Sequence, residues 1–531
     1  MTDRAITDEQ AEVVRFLSDP ASYPNNPSAV ERIDTHGAMV FLAGDGVWKI
    51  KRAVRFPYMD LSTLEKRRAV CAREVEINRT WAPEIYVGCV PITREQDGHL
   101  AFGGAGEAIE WAVEMRRFPE TDVLGNIAAR EGISRELARS LADMVFDSHI
   151  KAQRVSVEGG AQRFADLAAS ISNNLAGVAK ILGSEETSLF RRRAEAALAR
   201  AVEILNERAR QGFVRRCHGD LHLDNVVMWH GQPTLFDAIE FDEELATIDT
   251  LYDLAFLLMD LDHRGLRSAA NIVLNRYLSR SRKSLDLSGL AALPLFLGLR
   301  AGVRALVGAE RAEQEAGSRE AANRYIERAR GYMRAALAYL DPPPPEIIAV
   351  GGLSGAGKST LAANLAPKIG PCPGAVHLRS DVERKALFGV SETERLSSEG
   401  YVASVTERVY DTLNKKAKQV LEAGHGVIVD AVFAKENERK QLEAVAESAG
   451  VTLKGVWLTA STETMMKRVS ARRNDASDAT VEIVRQQAEY DIGTLSPSWR
   501  IVDANDDAQV TAERAVCALS DQPPQRNEVN G

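Results

Sequence analysis

The sequence predicts an α+β bilobal half followed by an α/β half with a parallel sheet. Residues of about 30–115 read as strands and turns, and helical periodicity takes over from about 134. After Pro342-Pro343-Pro344-Pro345, apolar strand-like runs alternate with helical stretches. Such alternation implies parallel strands joined by crossover helices. The prolines cannot continue a helix and favour a stiff extended spacer.

A chain of 531 residues exceeds one hydrophobic core and suggests roughly two to four domains. The expected division is 1–340 (lobes of about 30–117 and 118–340), a linker at 341–345, a second domain at 346–520 and a disordered tail at 521–531. An apolar fraction of 45% and a charged fraction of 27% fit an ordinary globular protein. The 66 basic and 75 acidic residues leave a net charge of -9, which offers no global attraction to nucleic acid or an anionic membrane. The five cysteines are scattered and lack metal-ligand spacing, which fits a reduced cytoplasmic setting. Met1-Thr2-Asp3-Arg4 lacks a signal pattern, and apolar runs such as 291–299 stop short of a bilayer span, at Arg300. The charge balance argues against a membrane and weighs against nucleic acid as a partner, though a local basic groove stays open; small-molecule substrates are the expectation that the family resemblances carry.

In the first half, Ala38–Ala43 and 47–51 read as strands around the turn Gly44-Asp45-Gly46. A helix follows at 63–81. Leu137, Leu141 and Val145 recur at i+4 behind Ser134, a candidate N-cap. A strand–loop–strand unit then carries His218-Gly219-Asp220-Leu221-His222-Leu223-Asp224-Asn225, and helices resume over about 250–340. In the second half, 347–350, 375–378, 426–429, 453–458 and 499–502 read as strands.

The His218–Asn225 stretch has the parts of a phosphoryl-transfer loop. Such chemistry needs a base for the acceptor hydroxyl, metal ligands, and a cation for the nucleotide. Asp220 is the candidate base, and Asn225 can offer a neutral oxygen to Mg2+. His218 is placed to buttress the loop. Leu235-Phe236-Asp237 ends an apolar strand in an acid, so Asp237 is the first choice for a metal carboxylate and Glu240 the second. Asp253, opening an apolar helix, is placed to brace the loop. Upstream, Lys49 and Lys51 share one face of a strand; Lys49 is preferred for holding phosphate. Glu74 is the preferred partner for it, ahead of Glu76.

With His218, Asp220, Asn225, Asp237 and Asp253-Leu254-Ala255, roughly residues 30–335 resemble the aminoglycoside phosphotransferase-like family. The resemblance implies a protein-kinase-like fold and ATP-dependent phosphorylation of a small hydroxyl compound. Two departures stand out. Asp237 is followed by Ala238-Ile239 rather than by a glycine two places on, and Thr35-His36-Gly37-Ala38 offers one glycine to cover the nucleotide.

The second half carries Gly352-Leu353-Ser354-Gly355-Ala356-Gly357-Lys358-Ser359-Thr360 directly after an apolar strand. Glycines at this spacing let backbone N–H groups and a helix N-terminus face phosphate oxygens. Lys358 would then reach the β- and γ-phosphates and Ser359 would bind Mg2+. Asp381, near the end of the next strand, is a candidate base or a helix N-cap. Arg384, one turn later, is a candidate anion holder. Asp430 ends a further apolar strand as a metal-supporting carboxylate, and Arg468 and Arg472 sit four apart on a basic, lid-like helix that runs on to Arg473 and Asn474.

Residues of about 346–510 resemble the P-loop NTPase kinases of the gluconate kinase, zeta-toxin and polynucleotide kinase group. The whole chain resembles bacterial fusions of the two domain types. The resemblance implies a bifunctional kinase using ATP and Mg2+ at two sites. Two other readings stay open: an inactive first half that regulates the second, or a second half that phosphorylates nucleic-acid 5′-hydroxyls. Arg300 and Arg304 read as structural ion-pair partners, and Asp242-Glu243-Glu244 as a solvated loop.

Overall fold

The computed structural model describes residues 8–520, apart from 36, 57, 58, 316, 317, 473 and 474. His36, Arg473, Asn474, the first four residues and the expected tail at 521–531 therefore lie outside the described residues.

The chain packs as two compact units that are not simply its two halves. The first is Met1–Ser188 with Asn206–Ala269 and Leu299–Met333. The second gathers Leu189–Leu205, Ala270–Gly298 and Arg334–Gly531.

In the first unit, a six-stranded antiparallel sheet runs in the order Val30–Asp34, Ala38–Ala43, Gly46–Lys51, Glu107–Arg116, Tyr86–Arg94, Leu100–Phe102. Met39, Phe41 and Ile50 point into its apolar core, as period-two alternation requires. The helix Leu64–Asn78 starts at Thr63, whose hydroxyl accepts from the Lys66 N–H. It packs against the Glu107–Arg116 strand, so its buried Glu74 faces the sheet that carries Lys49. Ser134 caps the helix Arg135–Lys151 by accepting from Leu137 N–H at 3.1 Å, as the spacing predicts. The hairpin of Val226–Trp229 with Gln232–Leu235 follows the His218 loop and delivers Asp237.

The second unit is built on a five-stranded parallel sheet in the order Val376–Arg379, Val427–Asp430, Ile347–Gly352, Leu453–Thr459, Trp499–Asp503. All six residues of Ile347–Gly352 are buried, as expected for the central strand of a sheet covered on both faces. Segments from before the prolines belong to this unit. Asn271 and Asn275 both donate to the Ala375 carbonyl, at 3.1 and 3.2 Å, and Asn275 accepts from His377 N–H at 2.7 Å. Arg276 pairs with Glu392 at 3.0 Å, and Gln419 donates to Ser284 and Ser288.

The stretch Ser284–Gln314 is long and apolar enough to cross a membrane, and 67% of its apolar window is buried inside the protein. Arg300 ends the apolar run in the sequence, yet helix Leu293–Gln314 continues past it. Arg300 is accommodated because its guanidinium stacks 3.9 Å from the Tyr252 ring centroid and 4.7 Å from that of Phe256.

Candidate functional site

Each unit holds a cluster of the expected residues. In the first unit, Asp220 is 40% exposed and lies on a loop pinned from behind. Asp253 accepts from Gly219 N–H at 2.9 Å, His218 N–H at 3.3 Å and His149 Nε2 at 3.1 Å. His218 Nε2 lies 2.9 Å from the Phe236 carbonyl, tying the loop to the hairpin. Asn225 Nδ2 donates to the Asp220 carboxylate at 2.8 Å, and His222 Nε2 lies 3.3 Å from it. Burial alone would raise the Asp220 carboxyl. His222 first, then His218 and Arg304, instead hold it well below the usual carboxylate range. Asp220 is therefore ionised at neutral pH and able to orient a hydroxyl. Cys217 joins His149 and Asp253 in a buried trio with ligand atoms within 4.8 Å of one another. The Asp253 oxygens there are already engaged in the brace.

Two lysines and three carboxylates form the other part of this site. Glu74 receives Lys49 on one oxygen at 2.9 Å and Lys51 on the other at 2.6 Å. Lys49 also reaches Asp237 at 2.6 Å, and Lys51 reaches Glu240 at 2.5 Å. Glu76, the second choice, is exposed and pairs with Arg73. Burial opposes ionisation of Glu74, but Lys49 and Lys51 override it and bring the carboxyl down to about 2. The same carboxylates outweigh burial at Lys49, with Asp237 ahead of Glu74, and raise it well above the ordinary lysine value. Asp237 adopts φ +58, a left-handed conformation costly for a non-glycine residue. Its N–H donates to Tyr86 Oη at 3.0 Å, and the next N–H donates to Asn78 Oδ1 at 3.0 Å, which hold the turn.

The second cluster surrounds a cavity of about 410 Å³. Its wall comprises residues 354–361, Ser380 and Asp381, Arg468 and Arg472, and Asp475 and Ser477. The glycines here answer to geometry. Gly355 has φ +88, and a Cβ there would stand 2.5 Å from the Met465 carbonyl; Gly357 has φ +100 where the helix Lys358–Leu365 begins. Backbone N–H groups and the helix start thus meet one concave wall, with Ser359 and Thr360 on it, which fits a polyphosphate and its metal ion. Lys358 Nζ rests on the Leu353 carbonyl at 3.0 Å. Arg468 donates to the Ala356 carbonyl at 3.4 Å and the Asp506 carbonyl at 2.7 Å.

Asp381 belongs to the first turn of helix Ser380–Leu387, whose N-cap is Arg379, so it is not the cap. Burial pushes its carboxyl up, against the pull of Lys358 and Arg379. Lys358 is lowered by burial, with Asp430 and Asp381 opposing. Burial thus disfavours the charge on both Asp381 and Lys358, and each charge favours the other.

Gly352, Arg384 and Asp430 lie off the cavity wall. Gly352 closes against the neighbouring strand, where a Cβ would meet the Leu458 carbonyl at 2.7 Å. Asp430 is held by His377 at 3.4 Å and Arg379 at 3.7 Å. Burial raises it, yet His377, Arg379 and Lys358 bring it to about 2. Arg384 is buried because its helix packs on Ala403–Glu422. Its guanidinium donates to the Gly400 carbonyl at 2.7 Å and lies 4.9 Å from the Tyr401 ring.

Sequence reasoning missed three participants. Arg379 stands in register beside Asp430 on the adjacent strand and reaches Asp475 at 3.4 Å. Ser477 stands with Asp381 on the cavity wall, and Gln487 Oε1 accepts from the Ser354 N–H at 2.8 Å. For Arg379 the signal was its place at the carboxyl end of a parallel strand. For Ser477 and Gln487 no local signal existed.

Residues 108–292 match the phosphotransferase enzyme family, and residues 347–490 match an AAA domain family. The chain joins an aminoglycoside phosphotransferase-like domain to a P-loop kinase-type domain. It is an enzyme of the kinase class. Uncharacterized proteins of Mycobacterium tuberculosis and Mycobacterium bovis are 29% identical to it over 491 residues, covering 88% of this chain and 93% of theirs. Among solved structures, the GDP complex of aminoglycoside 2'-phosphotransferase-IIIa is 14% identical with a TM-score of 0.39, covering 61% of this chain and 99% of that one. The Mycobacterium tuberculosis APS kinase CysC, in complex with AMPPNP and APS, is 18% identical with a TM-score of 0.25, covering 34% and 99%.

Proposed function

We propose that this chain is a bifunctional, cytoplasmic phosphotransferase that moves the γ-phosphoryl group of ATP to hydroxyls of small molecules at two separate sites. The observation that carries it is the cavity where the 354–360 backbone, Lys358, Asp381, Arg468 and Arg472 converge. Bound ATP would supply the phosphoryl group, and Mg2+ would neutralise its charge. In the second unit, Ser359 would hold the metal, with Asp430 supporting it from behind the wall. Lys358 and the arginines would neutralise the transferring group, and Asp381 would take the acceptor proton. In the first unit, Lys49 would hold phosphate, Asn225 and Asp237 the metal, and Asp220 would orient the acceptor hydroxyl.

A second reading has one observation behind it. Asp237 is already ion-paired to Lys49 at 2.6 Å, so a metal ion must compete with that lysine. On that reading the first unit binds nucleotide weakly or not at all and regulates the second.

The test uses the full-length chain, ATP with Mg2+, and a mixed pool of small hydroxyl metabolites. Lys358→Ala and Asp220→Asn should each remove a different set of phosphorylated products, by about a hundredfold or more, and the double variant should remove both. If Lys358→Ala alone abolishes every product, the first unit is not a second catalyst.

A further inference from the structure

Arg304 sits one turn beyond Arg300 on helix Leu293–Gln314, close enough to Asp220 for its charge to act on that carboxyl. Arg300 lies on Phe256, whose ring packs 5.2 Å from His222, and His222 contacts Asp220 at 3.3 Å. Their i, i+4 spacing suggests structural ion pairs for both arginines. Arg300 keeps that character, reaching Asp253 at 3.9 Å. Among the described residues Arg304 has neither an ion pair nor a hydrogen bond. Besides its pull on the Asp220 carboxyl its contact is aromatic: its guanidinium lies 5.7 Å from the Tyr332 ring centroid. That ring is stacked by His263 at 3.8 Å and approached by Arg328 at 5.9 Å.

A part-buried guanidinium that makes no ion pair of its own, rests on a ring and acts on Asp220 only through its field has charge to offer a ligand. Several acids of this unit are committed to other partners. Asp224 and Asp260 are taken by Arg264 at 2.9 and 3.1 Å. Glu243 is held by Arg73 at 2.8 Å and Arg216 at 3.4 Å, while Asp242 caps the helix Glu243–Ala246. A polycationic acceptor would meet Arg304 and Arg328 with few uncommitted carboxylates besides the reacting one.

We infer that the first site takes an acceptor carrying an anionic group, a carboxylate or phosphate, which Arg304 binds on its Tyr332 platform, with Arg328 at the rim. The inference rests on the reading of this unit as a phosphotransferase site. Arg304 would be a specificity residue: it places the anion so that a hydroxyl of the same molecule meets Asp220. The Asp220 charge and the acceptor anion then share Arg304, which limits their mutual repulsion.

The test is a charge series of one size: glucosamine, glucose, gluconate and glucose 6-phosphate. Each is titrated calorimetrically into the full-length Lys358→Ala protein with AMP-PNP and Mg2+. The two anions should bind more tightly than glucose, and glucosamine most weakly. Arg304→Ala should weaken the anions by roughly tenfold or more, one lost charged contact, and leave AMP-PNP affinity within about twofold. Arg304→Lys, which keeps the charge, should recover part of the loss. Preference for glucosamine, no binding of either anion, or anion affinity unchanged in Arg304→Ala would overturn the inference. Absence of AMP-PNP binding by the Lys358→Ala protein would instead overturn the phosphotransferase reading of this unit.

Discussion

The two candidate sites solve one electrostatic problem with different materials. The second uses backbone: three positive-φ glycines and a helix start line or close a cavity whose arginines and lysine stay directed at it. The first uses side chains: Lys49 and Lys51 are spread over Glu74, Asp237 and Glu240, so its cations are already neutralised. A backbone cradle holds its donors by geometry, even where one of them, the Ser354 N–H, is borrowed by Gln487. A side-chain network has to exchange partners when a polyphosphate arrives. The first arrangement gains rigidity without ligand, and the second keeps its attraction for anions.

The sharpest way to break this comparison is Glu74→Ala. It leaves Lys49 and Lys51 sharing less negative charge in a buried place, and should destabilise the protein by about 3–5 kcal/mol in chemical denaturation. A loss under about 1 kcal/mol, the range of a surface pair, would mean the network is not structural. Next in size is Gly355→Ala. A methyl group against the Met465 carbonyl, at positive φ, should cost about 1–3 kcal/mol and lower nucleotide affinity at the second site alone. Equilibrium binding in a Lys49→Ala background, which removes the cation proposed to hold nucleotide in the first unit, reads it out, and unchanged affinity would show that the cradle tolerates reshaping.

The smallest expected effect is a difference in pH profile. Asp381 has its carboxyl raised by burial, so as pH falls it takes up a proton above the ordinary carboxylate value of about 4. Asp220 is depressed and stays ionised below that value. The acid limb of kcat/KM should therefore lie at higher pH for the second site, measured in Asp220→Asn, than for the first, measured in Lys358→Ala. Coincident limbs would remove at least one of the two as the base.

The same contrast explains what was legible. A cradle made of backbone writes its glycines and lysine within nine consecutive residues, 352–360, and was readable in one glance. The sheet around it was equally plain, because strands buried on both faces are continuous apolar runs. The His218 loop was readable for a similar reason: Asp220 and Asn225 bond across five residues. The pairing of Lys49 with Asp237 spans 188 residues, so only the chemistry of the roles, and no spacing, pointed to it. Arg384 shows the opposite failure. Its spacing from Asp381 was right for a shared face, but the helix Ala403–Glu422 covers that face. Arg379 lies two residues before Asp381, but its strand register with Asp430 is invisible in one dimension.

The second unit draws Leu189–Leu205 and Ala270–Gly298 together with everything after Arg334. During synthesis those early segments leave the ribosome well before the strand whose Ala375 carbonyl meets Asn271 exists. Their apolar surfaces must wait, uncovered or on a chaperone, until the carboxyl-terminal part of the polypeptide arrives. Cloning the protein as two pieces cut at the prolines would make that waiting permanent.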